Sequence, residues 1–401
     1  MLEIDTKPLG KISFTPIKSR LASIKKSELP AFAKYKPNFD KMYAIAAKYS
    51  DKQNFIIIGR GGSTTSFKAM YHALAEYKTT KKVYFIETTD PDYCAYVKGR
   101  CLPNETLVIA ISKSGTTIDV IENLMYFNDC EKLIISTPGD NAMANIAKIE
   151  KCDFYPHPEV GGRFVAPTEA ALLPAAIIYL DTKKIFEGMQ KMYELCNPQN
   201  PITKNPALNL AAQLFLLERR GYTAVYDPIY CQQLNGFCEL IMQLMHETVC
   251  KEGKGQTYLT VAAPQSQHHS NQRFFGGRKN LIGLFIRVEN FENNPKTPVP
   301  EHLKNVKIHD TTLKILDSIP LQKTLEFEYT GVQKDATKRK IPNATITLDR
   351  ITPESIGELL AFFEYLAVYS ALLRGVNPYD QPEVEASKEI SYNLRKVYSF
   401  K

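Results

Sequence analysis

The sequence has no long apolar run and no regular spacing among its eight cysteines. Because it contains no C-x-x-C pair and no Cys/His group at zinc spacing, we expect reduced thiols in a cytoplasmic protein, and no bound metal. Most of the thiols should be packing residues. The longest apolar run, residues 170–180, is short and is interrupted by Pro174. The N-terminal residues lack the apolar core of a signal peptide, so the sequence predicts no membrane association.

The sequence also has no dense tract of one charge. Its 50 Lys and Arg residues against 43 Asp and Glu give a net charge of +7 that is spread along the chain. This suits small anionic substrates and gives no support to a nucleic-acid partner. The one local cluster, residues 334–340, is interpreted as the solvated tip of a hairpin between strands at 325–329 and 344–348. A chain of 401 residues with 44% hydrophobic content can form two or three globular domains.

The central motif is the stretch TLVIAISKSGTT at residues 106–117. Residues 107–111 predict a strand buried on both faces, and residues 119–126 have helical spacing. The polar side chains between these elements would lie at a helix N-terminus, where unpaired N–H groups favour a phosphate dianion. They are Ser112, Lys113, Ser114, Thr116 and Thr117. An ordinary helix cap is the simpler alternative, but one cap does not need four hydroxyl groups and a lysine.

A second apolar strand, residues 55–58, also runs into a loop of small residues that includes Gly62 and Ser63. Glycines there would let the backbone approach a ligand, although a tight turn between strand and helix would explain this loop equally well. Further apolar strands at 83–87 and 133–136, with helices between them, predict an α/β fold with a parallel, doubly wound sheet. Such sheets bind ligands beyond the carboxyl ends of their strands, where both loops would lie.

The alternation of strands and helices divides the chain into four segments. Residues 1–40 are predicted to be an extension across the folded body, and residues 41–182 a first α/β domain that carries the phosphate-binding loops. Residues 183–350 repeat this plan as a second α/β domain. Residues 351–401 are predicted to be a helical arm, in which a long apolar helix at 354–373 ends before Gly375 and a last helix begins near Val384.

Six motifs occur together and span most of the chain: GGS at 61–63, SKSGTT at 112–117, VGGRF at 160–164, QLMHET with KEGKG at 243–255, HS at 269–270 and NPYDQPEVEASK at 377–388. By these motifs the sequence resembles the glucose-6-phosphate isomerase family. The resemblance implies two doubly wound, flavodoxin-like domains of the sugar-isomerase (SIS) type. It also implies interconversion of glucose 6-phosphate and fructose 6-phosphate without a metal or any other cofactor. In the family the active-site histidine comes from the partner subunit, which implies a homodimer with shared sites.

The resemblance also implies roles for individual residues. The catalytic residues would be Glu247 as the base that moves a proton between C1 and C2, Arg163 beside the enediolate, and His269 with Lys388 for opening the sugar ring. The substrate-binding residues would be Gly62, Ser63, Ser112, Lys113, Ser114, Thr116 and Thr117 around the phosphate, Gln243 near the base, and Gln381 as a second phosphate-side contact. Several positions differ from the family pattern. Arg60 replaces a small apolar residue before GGS, and Thr64 and Thr65 replace the usual continuation; Asp119 replaces a glutamate, and Val249 with Cys250 replaces an acidic or amide residue followed by glycine.

The chemistry agrees with these roles. One shielded carboxylate can move a proton between neighbouring carbons, and a fixed guanidinium stabilises the oxyanion of the intermediate. A histidine titrates near neutral pH, as ring opening requires. His268 competes with His269 for this step, since adjacent side chains on a strand point in opposite directions. The alternatives are an isomerase of another phosphosugar, such as mannose 6-phosphate, and a non-catalytic sugar-phosphate-binding protein.

Overall fold

Two five-stranded sheets with surrounding helices form the fold in the computed structural model, which describes residues 2–399. The strands are β1 (Leu2–Asp5), β2 (Asn54–Ile58), β3 (Lys82–Ile86), β4 (Thr106–Ser112), β5 (Glu131–Ser136), β6 (Asp153–Pro156), β7 (Ala224–Tyr230), β8 (Thr257–Ala262), β9 (Leu281–Val288), β10 (Lys307–Ile308), β11 (Thr311–Thr312) and β12 (Asn343–Leu348). β10 and β11 form a short ribbon of their own.

Fifteen α-helices connect or cover these strands within the described residues. They are α1 (Lys18–Lys25), α2 (Ala31–Lys34), α3 (Phe39–Lys48), α4 (Gly62–Leu74), α5 (Pro91–Lys98), α6 (Ile118–Tyr126), α7 (Ala142–Glu150), α8 (Glu169–Ile177), α9 (Thr182–Leu195), α10 (Pro206–Glu218), α11 (Phe237–Val249), α12 (Ser270–Gly276), α13 (Leu321–Lys338), α14 (Pro353–Arg374) and α15 (Glu385–Ser399).

The first sheet is parallel throughout and has the strand order β3-β2-β4-β5-β6. Counted from its own first strand, this is the 2-1-3-4-5 order of flavodoxin-like folds, which bind ligands where the order reverses. Here the order reverses between β2 and β4, and every residue of both strands is buried. Ile58 of β2 pairs with Ala110 of β4, so the two small-residue loops begin at neighbouring strand ends. The predicted doubly wound fold is confirmed.

The second sheet has the order β1-β12-β9-β7-β8, in which β1 alone is antiparallel to its neighbour. The sequence predicts residues 1–40 as an extension, but the structure adds a strand to it: Leu2 pairs with Leu348 and Asp5 with Thr345. In this strand Leu2 and Ile4 alternate with more exposed acidic residues. Four residues are too few for a periodic signal, which is why the strand is missing from the prediction.

The prediction of a strand at residues 325–329 is wrong, because these residues lie inside α13. The alternation in LEFEY imitates a strand, yet the residues that pack inwards follow helical spacing. Leu325, Tyr329, Val332 and Ala336 contact the cluster around the second sheet, whereas Phe327 is exposed. Residues 334–338 of the basic cluster therefore form the end of a helix instead of a hairpin tip.

Helix α14 is the central element of the helical layer. It is long and apolar enough to cross a membrane by length and composition, but 94% of its apolar window is buried inside the protein. Its N-terminus has a capping box of Thr352 and Ser355, and it ends at Gly375 with φ 68°. A Cβ on Gly357 would lie 1.9 Å from the Ile185 carbonyl oxygen, so glycine allows close packing against α9. The predicted helical arm is confirmed.

All eight cysteines are free thiols. Five are buried, two are partly buried, and Cys250 is exposed. Burial in the cores fits the prediction that most of them are packing residues.

A buried carboxyl group lies in β7, near the centre of the second sheet. Asp227 Oδ2 accepts a hydrogen bond from Thr260 Oγ1 at 3.0 Å, while Oδ1 is buried without a partner among the described residues. Burial raises the pKa of Asp227 to about 8, although the hydrogen bond from Thr260 acts in the opposite direction. Aspartate in an unfolded chain has a pKa near 3.9, so folding takes up a proton between these two values.

We expect the free energy of unfolding to fall as the pH rises from about 4 to about 8, because the native state binds more protons than the unfolded state in this range. The contribution of this one group should be about 1.4 kcal/mol per pH unit. Asp227→Asn should remove that slope, whereas Asp310→Asn, at an exposed position, should keep it. Urea unfolding between pH 5 and pH 8 measures the pH dependence of stability in both variants. An unchanged slope in Asp227→Asn would show that Asp227 is not the group that takes up the proton.

Candidate active site

The SKSGTT loop gathers its hydroxyl groups at the start of α6. Ser112 Oγ lies 2.8 Å from Thr117 Oγ1, and Thr116 Oγ1 donates to Ser114 Oγ at 3.1 Å. Thr117 is the N-cap residue, but its side chain makes no capping hydrogen bond to the helix. The side chain of Lys113 is exposed next to this group. The hydroxyl groups are thus not used as an ordinary cap, which favours the phosphate interpretation.

The loop after β2 packs directly against the elements that carry the predicted base and guanidinium. A Cβ on Gly61, which has φ +50°, would lie 2.5 Å from Gln243 Nε2, and a Cβ on Gly62 would lie 2.5 Å from the Arg163 Cα atom. Glycine is therefore required for this close approach of three chain segments. The predicted contact of Gly62 and Ser63 with a substrate stays a prediction.

A chain of hydrogen bonds orients Glu247. Thr65 Oγ1 donates to Gln243 Oε1 at 3.0 Å, and Gln243 Nε2 donates to Glu247 Oε1 at 3.1 Å. Gln243 and Glu247 are one turn apart on α11, so they share a face of the helix. The Glu247 side chain is 31% exposed, which leaves its carboxylate accessible to a ligand. The sequence analysis did not assign Thr65, and its only signal was its position just after GGS.

The side chain of Arg163 is 4% exposed and connects three parts of the chain. Its Nη1 donates to Glu247 Oε2 at 3.1 Å and to Gln381 Oε1 at 2.8 Å. Its Nε donates to Thr248 Oγ1 at 3.0 Å. Its Nη2 donates to the carbonyl oxygens of Pro378 and Asp380. Burial lowers the pKa of Arg163, and Glu247 opposes this shift, so the ion pair favours the charged guanidinium.

The backbone at Arg163 is braced by an aromatic contact. Phe164 stacks on Phe32 of α2, with ring centroids 5.2 Å apart. Glu169, a few residues further on, accepts hydrogen bonds from the Tyr35 hydroxyl and from the Asn38 N–H, the latter at 2.7 Å. The N-terminal segment therefore supports the loop that positions the guanidinium.

The KEGKG turn fixes the C-terminal arm beside this site. Lys251 Nζ contacts Asp380 Oδ1 at 2.7 Å and also donates to the carbonyl oxygen of Asn377. Lys251 lowers the pKa of Asp380 through this hydrogen bond. Together with the Arg163 contacts, this holds Gln381 next to Glu247. The structure thus brings together Arg163, Gln243, Glu247 and Gln381; the phosphate-side role of Gln381 stays a prediction.

The predicted ring-opening residues are not part of this cluster. His269 is exposed and its Nδ1 lies 2.7 Å from its neighbour Ser270 Oγ. Lys388 is exposed on α15 and donates to Glu385 at 2.8 Å. His268 is exposed as well, so burial does not distinguish the two histidines. Within the described part of the chain, Glu247 and Arg163 are assembled, but His269 and Lys388 make only local contacts.

His246, next to the predicted base, has a structural role that the sequence did not indicate. His246 Nε2 accepts a hydrogen bond from the Tyr258 N–H of β8 at 2.9 Å. Burial lowers the pKa of His246, which favours the neutral ring that this bond requires. The contact fixes the end of α11 against the second sheet.

Comparison with known proteins identifies the relatives of this arrangement. A relative in Methanocaldococcus jannaschii named glucose-6-phosphate isomerase is 28% identical over 407 residues, which cover 98% of this chain and 96% of that protein. A relative in Methanococcus maripaludis, named probable glucose-6-phosphate isomerase, is 28% identical over 368 residues, covering 88% and 81% of the two chains. The chain is a homologue of the glucose-6-phosphate isomerases. The resemblance seen in the motifs is thereby confirmed.

Solved structures share the fold of this chain. A hypothetical protein from Thermus thermophilus superposes with a TM-score of 0.86 at 21% identity, over 98% of this chain and 99% of that one. The glucose-6-phosphate isomerase of Chlamydia trachomatis gives a TM-score of 0.73 at 19% identity, over 90% of this chain and 74% of that one. A search against protein-family models found no match.

Proposed function

We propose that the chain is an aldose–ketose isomerase that interconverts glucose 6-phosphate and fructose 6-phosphate. The observation that carries the proposal is the position of Glu247. Gln243 and Arg163 hold its accessible carboxylate where the loop after β2 packs against α11. The names of the relatives support the same substrate. Such an enzyme would act in the cytoplasm, in glycolysis or gluconeogenesis.

The proposed reaction uses each group once. The SKSGTT loop, with Ser63, holds the phosphate of the open-chain sugar, so that binding energy at a remote group orients the reacting carbons. Glu247 takes the proton from C2 of the aldose and returns it to C1, while the hydroxyl proton moves from O2 to O1, which gives the ketose through a cis-enediolate. Arg163 is fixed by hydrogen bonds from all five of its N–H groups, so its positive charge is held near the oxyanion, and one Nη1 contact is exchanged for a direct hydrogen bond to it. The phosphate-binding residues, Glu247 and Arg163 all come from the same chain.

We further propose that the active site is completed in a homodimer. His269 and Lys388 would open the sugar ring, but each makes only local contacts in its own chain. Helix α15 presents Ile390, Leu394 and Val397 at one-turn spacing, and these side chains are 63%, 66% and 61% exposed. An apolar stripe of this kind on a terminal helix supports contact with a second copy of the chain.

A coupled assay tests the reaction. Glucose 6-phosphate is supplied, and fructose 6-phosphate is detected through a second enzyme; mannose 6-phosphate is supplied in a parallel reaction. Turnover of glucose 6-phosphate alone supports the proposal. Turnover of mannose 6-phosphate alone would replace it with the second isomerase, and binding of both sugars without turnover would indicate a non-catalytic binding protein.

Complementation between two inactive variants tests the shared site. We expect Glu247→Gln and His269→Ala to be inactive separately, and their mixed dimer to contain one site with both native residues. After random reassortment this restores about a quarter of the wild-type activity. A mixture of Glu247→Gln with Arg163→Lys is the control, because both lesions lie in the same half-site and no site is restored. Failure of the first mixture to recover activity would mean that His269 acts within its own chain or not at all.

A further inference from the structure

Two side chains outside the proposed substrate-binding set join the two loops of the first domain. Arg60 lies in the loop after β2, and Asp119 lies in the first turn of α6, directly after SKSGTT. Arg60 Nε donates to Asp119 Oδ2, and Asp119 Oδ1 accepts from the Val120 N–H at 3.0 Å. The two side chains are 26% and 32% exposed, so water only partly screens their charges.

The position of Asp119 is unfavourable for anion binding. Its carboxylate follows Thr117 by two residues, in the first helical turn, where a phosphate would bind. A carboxylate and a phosphate in the same turn repel each other. The nearby Glu122 is already paired with Arg395 of α15, at 2.7 Å. Lys113 belongs to the loop itself and has the anion as its proposed partner. Arg60 is the hydrogen-bonded partner that offsets the charge of Asp119, and Arg395 adds a weaker Coulombic attraction.

We propose that Arg60 is a positioning residue that sets the affinity of the SKSGTT loop for a sugar-phosphate dianion by neutralising Asp119. The inference rests on the proposed function only in taking the phosphate of a sugar as the anion. Arg60 departs from the family pattern, in which a small apolar residue stands at this position, whereas Asp119 keeps the acidic character of the usual glutamate.

Opposite effects of the two single variants distinguish this role from a mechanical tether between the loops. We expect Arg60→Gln to bind inorganic phosphate and sorbitol 6-phosphate, a polyol that cannot isomerise, about tenfold more weakly. Asp119→Asn should bind both as tightly as the wild type or more tightly. The double variant should recover most of the loss. Calorimetric titration in low salt measures all three, and added NaCl should reduce the differences.

A tether would behave otherwise: both single variants would lose affinity equally, and the double variant would recover nothing. That result, or unchanged binding in Arg60→Gln, would overturn the proposal. Arg339→Gln and Asp335→Asn are the matched control, since they break an ion pair on the exposed face of α13. Thermal unfolding without ligand shows whether each variant is folded. The coupled assay is carried out separately. If the variants bind phosphate in the expected order but the protein shows no turnover, the proposed isomerase activity is refuted and the role of Arg60 is not.

Discussion

Replacing Glu247 by glutamine is expected to lower kcat about 10²–10⁴-fold while KM stays close to the wild-type value. The amide has the shape of the carboxylate but cannot accept the proton from carbon. It can still accept a hydrogen bond from Gln243 or Arg163 through its one remaining oxygen, so α11 should keep its position. Steady-state kinetics with glucose 6-phosphate measure the effect.

The exposed Glu252 provides a matched control for this variant. Its carboxylate pairs with Lys254 at 2.7 Å in the KEGKG turn, and Glu252→Gln makes the same chemical change outside the cluster. We expect kinetics like those of the wild type. If Glu247→Gln instead raised KM and left kcat unchanged, Glu247 would be a binding residue and the proposed proton transfer would be wrong.

Arg163→Lys is expected to lower kcat about 10²–10³-fold, although it preserves the charge. A lysine ammonium cannot reach Thr248, Glu247, Gln381 and two backbone carbonyls from one atom. The carbonyl oxygens of Pro378 and Asp380 would lose their donors, which should also destabilise the protein by about 1–3 kcal/mol. Kinetics and urea unfolding measure the two effects.

Hydrogen exchange gives a local test of the same variant. In Arg163→Lys the segment from Pro378 to Gln381 should exchange faster, because the guanidinium holds it against α11. Arg339→Lys, on the surface of α13, should change neither exchange nor activity. Unchanged exchange at 378–381, together with normal kcat, would show that Arg163 neither braces the arm nor stabilises the intermediate.

The parts of the site that the sequence predicted are those in which neighbouring residues act together. SKSGTT and QLMHET each lie on one strand-to-helix junction or one helix, so their spacing along the chain is also their spacing in space. The contacts that it missed join distant segments: Thr65 to Gln243, Arg163 to Thr248 and to the carbonyl of Asp380, and Arg60 to Asp119. The contacts of Thr65 and Arg163 depend on how the two domains and the arm pack together, and that of Arg60 with Asp119 depends on the pairing of β2 with β4.

The fold was predictable for a similar reason. β2 and β4 are continuous apolar runs that only a sheet covered on both faces can bury. The apolar run at Pro353–Arg374 is too long for a strand or a loop, so it predicts a buried helix. Prediction failed where the local pattern was short or ambiguous. β1 is a strand because β12 offers it an edge, and α13 is a helix because its inward face packs on the second sheet.

The pairing of β1 with β12 constrains how the protein assembles on the ribosome. β1 is synthesised first, but β12 is the last strand to be made. All strands of the first sheet, residues 54–156, are available long before β1 has a neighbour. Contacts between such distant segments form slowly, and early segments generally fold first during synthesis. The first sheet, with the two small-residue loops, is thus expected to be in place on the nascent chain before the second sheet, which supports Glu247, can close.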